Sequence, residues 1–276
     1  MADPFRLDGK VALITGGTKG IGLAIGVLFA DRGADVIVCG RSEKSGYAAA
    51  RGNRMTFYQA DVTDAADVQS LIRKCREDHG SLDIVINNAG PTDLLHTRDT
   101  DGPIGEVTPD AWHRLIDRTL SSAYLVTHYA LDDLVRSGHG AIVNISSIAA
   151  AQAMPGFDVY AAGKAGLEAL SRSVAMGYSH LGVRCNAIRV GTIAVDHGDQ
   201  NRSLLPQADT SPDAWRRAEP PAAGAAEDVA HAALFLSSPA AQYVTGVVLP
   251  VDGGLGARSL MPWQTPRPAH PGPLTR

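Results

Sequence analysis

The chain has 276 residues, with 25 lysines and arginines against 29 aspartates and glutamates and a formal net charge of −4. At 45% hydrophobic and 20% charged residues it lies near the globular norm, and a chain of this length buries about 75% of its unfolded surface without needing disulfide or metal staples. The mild acidity is spread along the chain, which argues against nucleic acid or an anionic membrane as a partner and leaves a small diffusible molecule as the expected one.

The cysteines Cys39, Cys75 and Cys185 are odd in number and lack C-x-x-C spacing, so neither a disulfide framework nor a metal site is expected. The opening MADPFRLDGK holds no apolar run of signal-peptide type, and no stretch reaches the roughly 18 apolar residues of a membrane span. A cytoplasmic location is the expectation.

In chain order, short runs rich in valine and isoleucine alternate with longer stretches of helical period, the pattern of strand–helix units around a parallel sheet. Strands are predicted at residues 11–15, 35–39, 55–60, 84–87, 141–146, 183–188 and 247–249, and helices at 20–31, 65–78, 109–137, 159–179 and 226–236. The near-continuous apolar strands suit a sheet covered on both faces. Asp61-Val62-Thr63-Asp64 offers caps for the second helix, and Thr108-Pro109 places a cap and then a proline at the start of the third. No composition break divides residues 1–260, so a single α/β domain is expected. Residues 192–224, polar and proline-bearing, read as a substrate lid, and 261–276, with five prolines, as a tail outside the domain.

After the first strand the chain reads Thr15-Gly16-Gly17-Thr18-Lys19-Gly20-Ile21-Gly22. Glycines here allow a tight turn and close approach of a pyrophosphate to the amides opening the next helix. The G-x-x-x-G-x-G spacing differs from the general dinucleotide fingerprint and resembles the short-chain dehydrogenase/reductase family, whose glycine motif is TGxxxGxG. The resemblance continues through Asp61-Val62, Asn87-Asn88-Ala89-Gly90, Asn144-Ile145-Ser146-Ser147, Tyr160-Ala161-Ala162-Gly163-Lys164, Val244-Thr245-Gly246 and Val251-Asp252-Gly253-Gly254, in the family's order. It implies a Rossmann-type, doubly wound parallel sheet of about seven strands with helices on both faces.

A site preferring NAD(H) presents an acid roughly 20 residues past the glycine loop, whereas NADP(H) sites offer a cation to the 2′-phosphate. The second strand ends Cys39-Gly40-Arg41-Ser42, with no acid at its tip. Arg41 supplies a planar fork and Lys19 a second charge, so NADP(H) is preferred, with NAD(H) left open by Glu43. The resemblance places Asp61 and Val62 beside the adenine and Asn88, Ala89 and Gly90 along the ribose side. The resemblance also puts Gly191 and Ile193 in a cofactor-contacting segment after the sixth strand.

Hydride transfer to a carbonyl builds charge on oxygen and requires a proton source beside it. Tyr160 is the candidate. A free phenol titrates near 10, and Lys164, four residues on and on the same helical face, would stabilise its phenolate. In the family this lysine also bonds the nicotinamide ribose, and a serine 13 residues before the tyrosine, here Ser147, orients the substrate. Ser146 should point to the opposite side of its strand.

Three positions depart from the family pattern. Thr119 stands where an asparagine usually holds a water that links the lysine to solvent; a threonine has fewer hydrogen-bond sites and shorter reach. Val190 replaces the proline of a Pro-Gly pair, and Val195 replaces a threonine that touches the cofactor. A ketone reductase, or the reverse alcohol dehydrogenase, is the leading reading, beside a non-redox dehydratase or isomerase and a cofactor-binding regulator without turnover. Leu94, His96, Met154, Phe157, His197 and Leu204 are candidate pocket residues, and Asp196 with His197 reads as a solvated pair. The small residues Ala161, Ala162, Ala165, Gly166 and Ala169 suit close helix packing in the homotetramer common in the family, or in a homodimer.

Overall fold

The first strand, β1 (Val11–Thr15), is buried at every position, as befits a central strand covered on both sides. The computed structural model describes residues 3–91, 101–194 and 223–257. From β1 the chain alternates through α1 (Gly20–Asp31), β2 (Asp35–Gly40), α2 (Glu43–Asn53), β3 (Thr56–Gln59), α3 (Ala65–His79) and β4 (Ile84–Asn87). It continues through α4 (Pro109–Ile116), a π-helical turn (Asp117–Ser121), α5 (Ser122–Ser137), β5 (Ala141–Ser147), α6 (Asp158–Tyr178) and β6 (Arg184–Val190). After the short β7 (Ile193–Ala194) and β8 (Gly224–Ala225) come α7 (Ala226–Ser237) and β9 (Val248–Val251).

Seven strands form one sheet in the order β3-β2-β1-β4-β5-β6-β9, and every pairing in it is parallel. Alternate side chains feed opposite layers. Ile14, Val38, Ile86 and Val143 pack with Ile25 and Phe29 of α1 and Val229 and Leu234 of α7. Leu13, Ile37, Val85 and Ile142 pack on the other face with Leu71 of α3, Val126 of α5 and Val174 of α6. This is the doubly wound sheet expected from the resemblance. The chain steps from β1 outward to β3 and then crosses back to β4, so a crevice opens where β1 and β4 end, the usual ligand position in such sheets.

The structure adds elements that periodicity did not reveal. The helix α2 is among them: Ser42 Oγ caps it by accepting from Ser45 N at 3.3 Å, but two glycines dilute its pattern. One of these, Gly46, is required by packing, since a Cβ there would lie 2.2 Å from the Phe57 ring. The stretch expected as one helix over 109–137 contains the π turn at its middle. The last strand runs through Pro250 instead of stopping before it, which an edge strand tolerates because a missing N–H there breaks no inner ladder. The expected lid begins and ends in a two-stranded parallel pairing of β7 with β8. Residues 195–222, with Val195, Asp196, His197 and Leu204, lie outside the described residues, as do Leu94, His96 and the tail 261–276. Among the described residues no helix is long and apolar enough to cross a membrane, and no cluster suited to a metal occurs.

Candidate active site

The glycine loop is shaped by contacts as well as by backbone freedom. Gly16 has φ +64°, and a Cβ on it would lie 3.0 Å from Ala89 Cα. Gly22 admits no side chain at all, because its Cβ would stand 2.5 Å from both Gly16 O and Asn88 Nδ2. Asn88 braces the turn by donating Nδ2 to the carbonyls of Thr15 and Gly16 at 3.0 and 3.1 Å. The amides of Asn88 and Ala89 both donate to Thr15 Oγ1 at 3.0 Å, which locks the end of β4 to the end of β1.

The first turn of α1 holds no acidic residue, and Lys19 at its N-cap makes no side-chain cap bond. Its amides face a cleft of about 850 Å³ lined by Gly16, Thr18, Lys19, Gly20, Ile21 and Gly22. An anion of pyrophosphate type fits this cradle chemically. Arg41 and Ser42 line one end of the cleft with Asp61 and Val62, and Asn88, Ala89 and Gly90 line its middle. Both Arg41 and Lys19 are exposed. Partial burial opposes ionisation of Asp61, but bonds from the amide and hydroxyl of Thr63, aided by the positive Arg41 and Arg118, hold its carboxyl below the usual range.

At the other end the cleft is lined by Ser147, Tyr160, Lys164, Gly191 and Ile193. Ser147 closes β5 and Tyr160 lies in the first turn of α6, where burial raises the phenol and a hydrogen bond with Ser147 opposes that rise. Lys164 is 5% exposed. Its Nζ donates to Ile145 O at 2.7 Å and lies 5.7 Å from the centroid of the Tyr160 ring. Burial pushes this ammonium down to about 8. The adjacent Ser146 turns away, as the strand's alternation requires: its Oγ donates to Glu168 Oε1 at 2.9 Å. Glu168 in turn accepts Arg189 Nε and Nη2 at 2.9 and 2.6 Å.

The profile of a family described as enoyl-(acyl carrier protein) reductase matches residues 16–256. The chain belongs to the short-chain dehydrogenase/reductase family. A 3-oxoacyl-[acyl-carrier-protein] reductase of Chlamydia muridarum is 35% identical over 90% of this chain and 98% of its own. A cis-4-hydroxycyclohexanecarboxylate dehydrogenase of Sinomonas cyclohexanicum is 34% identical over 90% and 97%. Among solved structures, a short-chain type dehydrogenase/reductase of Mycobacterium ulcerans superposes with a TM-score of 0.80 at 30% identity, covering 92% of each chain.

As a short-chain dehydrogenase/reductase the chain packs Thr119 against Gly163, next to Lys164. Thr119 does not line the cleft. It is 2% exposed within the π turn, and its Oγ1 donates to Leu115 O at 2.6 Å. A Cβ on Gly163 would lie 2.0 Å from that hydroxyl and 2.8 Å from the Thr119 Cβ, so the threonine occupies the hollow left by the glycine next to Lys164. The cleft also takes in Arg114, Asp117 and Arg118, from α4 and the π turn. Spacing alone did not mark these, because only the packing of α4 and the π turn against α6 brings them to the crevice.

Two outcomes follow from this geometry. Gly163→Ala should lower stability by about 1–3 kcal/mol through overpacking, and adding Thr119→Ala should recover part of the loss in a denaturant double-mutant cycle. A fully additive cycle would contradict the pairing. For Lys164, the folded value of about 8 lies below the unfolded one, so the unfolded chain binds more protons between them and stability rises with pH across that window. Relative to Lys164→Met, the wild type should therefore gain at most about 3 kcal/mol between the two values, measured by urea unfolding at a neutral and an alkaline pH. An equal pH slope in both proteins would refute the assignment.

Proposed function

We propose that this protein is an NADP(H)-dependent oxidoreductase that reduces a ketone of a small molecule to a secondary alcohol, or runs the reverse reaction. The observation that carries the reading is the convergence of Ser147, Tyr160 and Lys164 on one end of a cleft whose other end is built for a dinucleotide. The printed names of two relatives, a 3-oxoacyl reductase and a hydroxycyclohexanecarboxylate dehydrogenase, both describe carbonyl–alcohol chemistry and support it.

The dinucleotide, when bound over Gly16 to Gly22 with Asp61, Val62, Asn88, Ala89, Gly90, Gly191 and Ile193 around it, supplies or accepts the hydride. Ser147 donates a hydrogen bond to the substrate oxygen and orients it. Tyr160 gives its phenolic proton to that oxygen as hydride reaches the carbon, so the alcohol leaves neutral and a phenolate remains to be reprotonated from solvent. Burial keeps the phenol protonated, as reduction needs, and the charge of Lys164 stabilises the phenolate that follows. Arg41 and Lys19 favour the 2′-phosphate of NADP(H) over NAD(H). Thr119 acts on the site through Gly163 instead of relaying protons itself. Phe157, whose ring centroid lies 6.5 Å from that of Tyr160, flanks the substrate.

The test is loss of nicotinamide absorbance with NADPH and with NADH against a panel of ketones that includes acetoacetyl-CoA and cyclic ketones. Tyr160→Phe should reduce kcat roughly 100-fold or more, and Arg41→Ala should raise KM for NADPH about tenfold while leaving NADH nearly unchanged. NADPH binding without any Tyr160-dependent turnover would favour a regulator or a non-redox enzyme. The outer faces of α5 and α6 expose Tyr124 at 49% and Met176 at 78% beside the exposed Ala162, Ala165 and Ala169, which supports assembly as a homotetramer or homodimer. Sedimentation that finds monomer alone would overturn that assembly.

A further inference from the structure

The helix that carries Tyr160 begins without a cap of its own. Phe157 stands at the N-cap of α6 and makes no side-chain cap bond, so the first amides of the helix need acceptors from elsewhere. Asp101 supplies them: its Oδ1 accepts from Val159 N at 3.1 Å and its Oδ2 from Tyr160 N at 3.0 Å. The same Oδ1 accepts from Gly102 N at 2.9 Å, and the residue is 8% exposed. The tie is reciprocal, because Asp158 at the start of α6 accepts from Ile104 N through Oδ2 at 2.9 Å. Two carboxylates thus clamp the segment before α4 to the first turn of α6.

We infer that Asp101 is a positioning residue for Tyr160, holding the first turn of α6, and so the phenol, in register with Ser147 from a segment 59 residues earlier in the chain. The inference rests on Tyr160 being the proton carrier. A carboxylate is well matched to two amides at the positive end of a 21-residue helix, where charge-assisted bonds are at their strongest. Tyr160 is the third residue of α6, so its own peptide N–H is one of the bonds at stake. Lys164 lies one turn deeper and is anchored separately on Ile145 O. Release of the cap therefore moves the phenol while leaving the lysine and the glycine loop in place. Displacements of about 1 Å from the reacting geometry cost on the order of 100-fold in rate.

The test compares Asp101→Ala, which removes both bonds to the helix amides, with Asp101→Asn, whose single amide oxygen keeps only one of those two. Amide hydrogen exchange over residues 157–163 should quicken in the order wild type, Asn, Ala. With acetoacetyl-CoA or the best ketone of the panel, kcat should fall roughly tenfold or more in the Ala variant and less in the Asn variant. The Kd for NADPH should stay within about twofold, all measured well below the unfolding temperature. A merely structural role would lower Tm in the same order but leave kcat of the folded protein unchanged, and that result overturns the inference. A loss that appears in NADPH affinity instead of kcat overturns it as well. Absence of turnover in the wild type would sink the reductase reading separately, and the clamp would then stand or fall on exchange alone, with unchanged protection in Asp101→Ala counting against it.

Discussion

A sheet in which every pairing is parallel sends the carboxyl ends of all its strands to one side, and each strand must then return through a crossover that covers a face. That constraint places the glycine loop after β1, the Asn88-Ala89-Gly90 turn after β4 and Ser147 at the end of β5 along a single rim. The reversal of direction between β1 and β4 opens the rim at its centre. Thr15 is the hinge pin of this arrangement: its hydroxyl takes the amides of Asn88 and Ala89 and donates to Ile86 O at 3.3 Å. Behind the rim, Asn87 Nδ2 donates to Asn144 Oδ1 at 2.8 Å and to Thr127 Oγ1 at 3.1 Å. Asn144 in turn donates to Ser171 Oγ at 2.8 Å. This buried polar network joins β4, β5, α5 and α6 and pairs Asn87 Nδ2, Asn144 and Ser171, leaving Asn87 Oδ1 as its one buried side-chain atom without a partner among the described residues.

The site sits against the fold's own preferences. Lys164 is a cation in a place that favours its neutral form, restrained by one backbone carbonyl, and the depressed value is the physical signature of that conflict. Such groups concentrate where chemistry is done. One residue before Ser147, Ser146 is spent on the opposite requirement, helping to satisfy the Glu168–Arg189 pair that bolts α6 to β6. The bidentate geometry of that pair, with a third bond from a hydroxyl, is what lets a buried carboxylate be tolerated.

The departure from the family pattern at Thr119 is compensated locally. A π turn widens the helix at that point, and the threonine hydroxyl returns to Leu115 O four residues back instead of reaching the cleft. Gly163 provides the space the side chain needs. The threonine therefore reads as one half of a packed pair.

Most of the architecture was legible along the chain. Runs such as Val11 to Thr15 and Ile84 to Asn87 are apolar at all but their last position and bounded by glycine or polar turns, so strand, crossover and parallel sheet follow from local physics. The glycine loop and the order of Ser147, Tyr160 and Lys164 were equally plain, because those residues are tied to one another by short spacings. Helix α2 was hidden by Gly46, whose presence answers to the Phe57 ring and not to helix propensity. Pro250 likewise marks an edge position that only the strand order reveals. The amino-acid sequence by itself determined the elements, their layers and the order of the proposed trio, since these depend on periodicity and on neighbours a few residues apart. Only the tertiary structure decided that Thr119 faces Gly163 and that Asp101 caps the helix of Tyr160. Both are contacts between segments distant in sequence, and no local pattern encodes which distant carboxylate will meet a helix that lacks a cap.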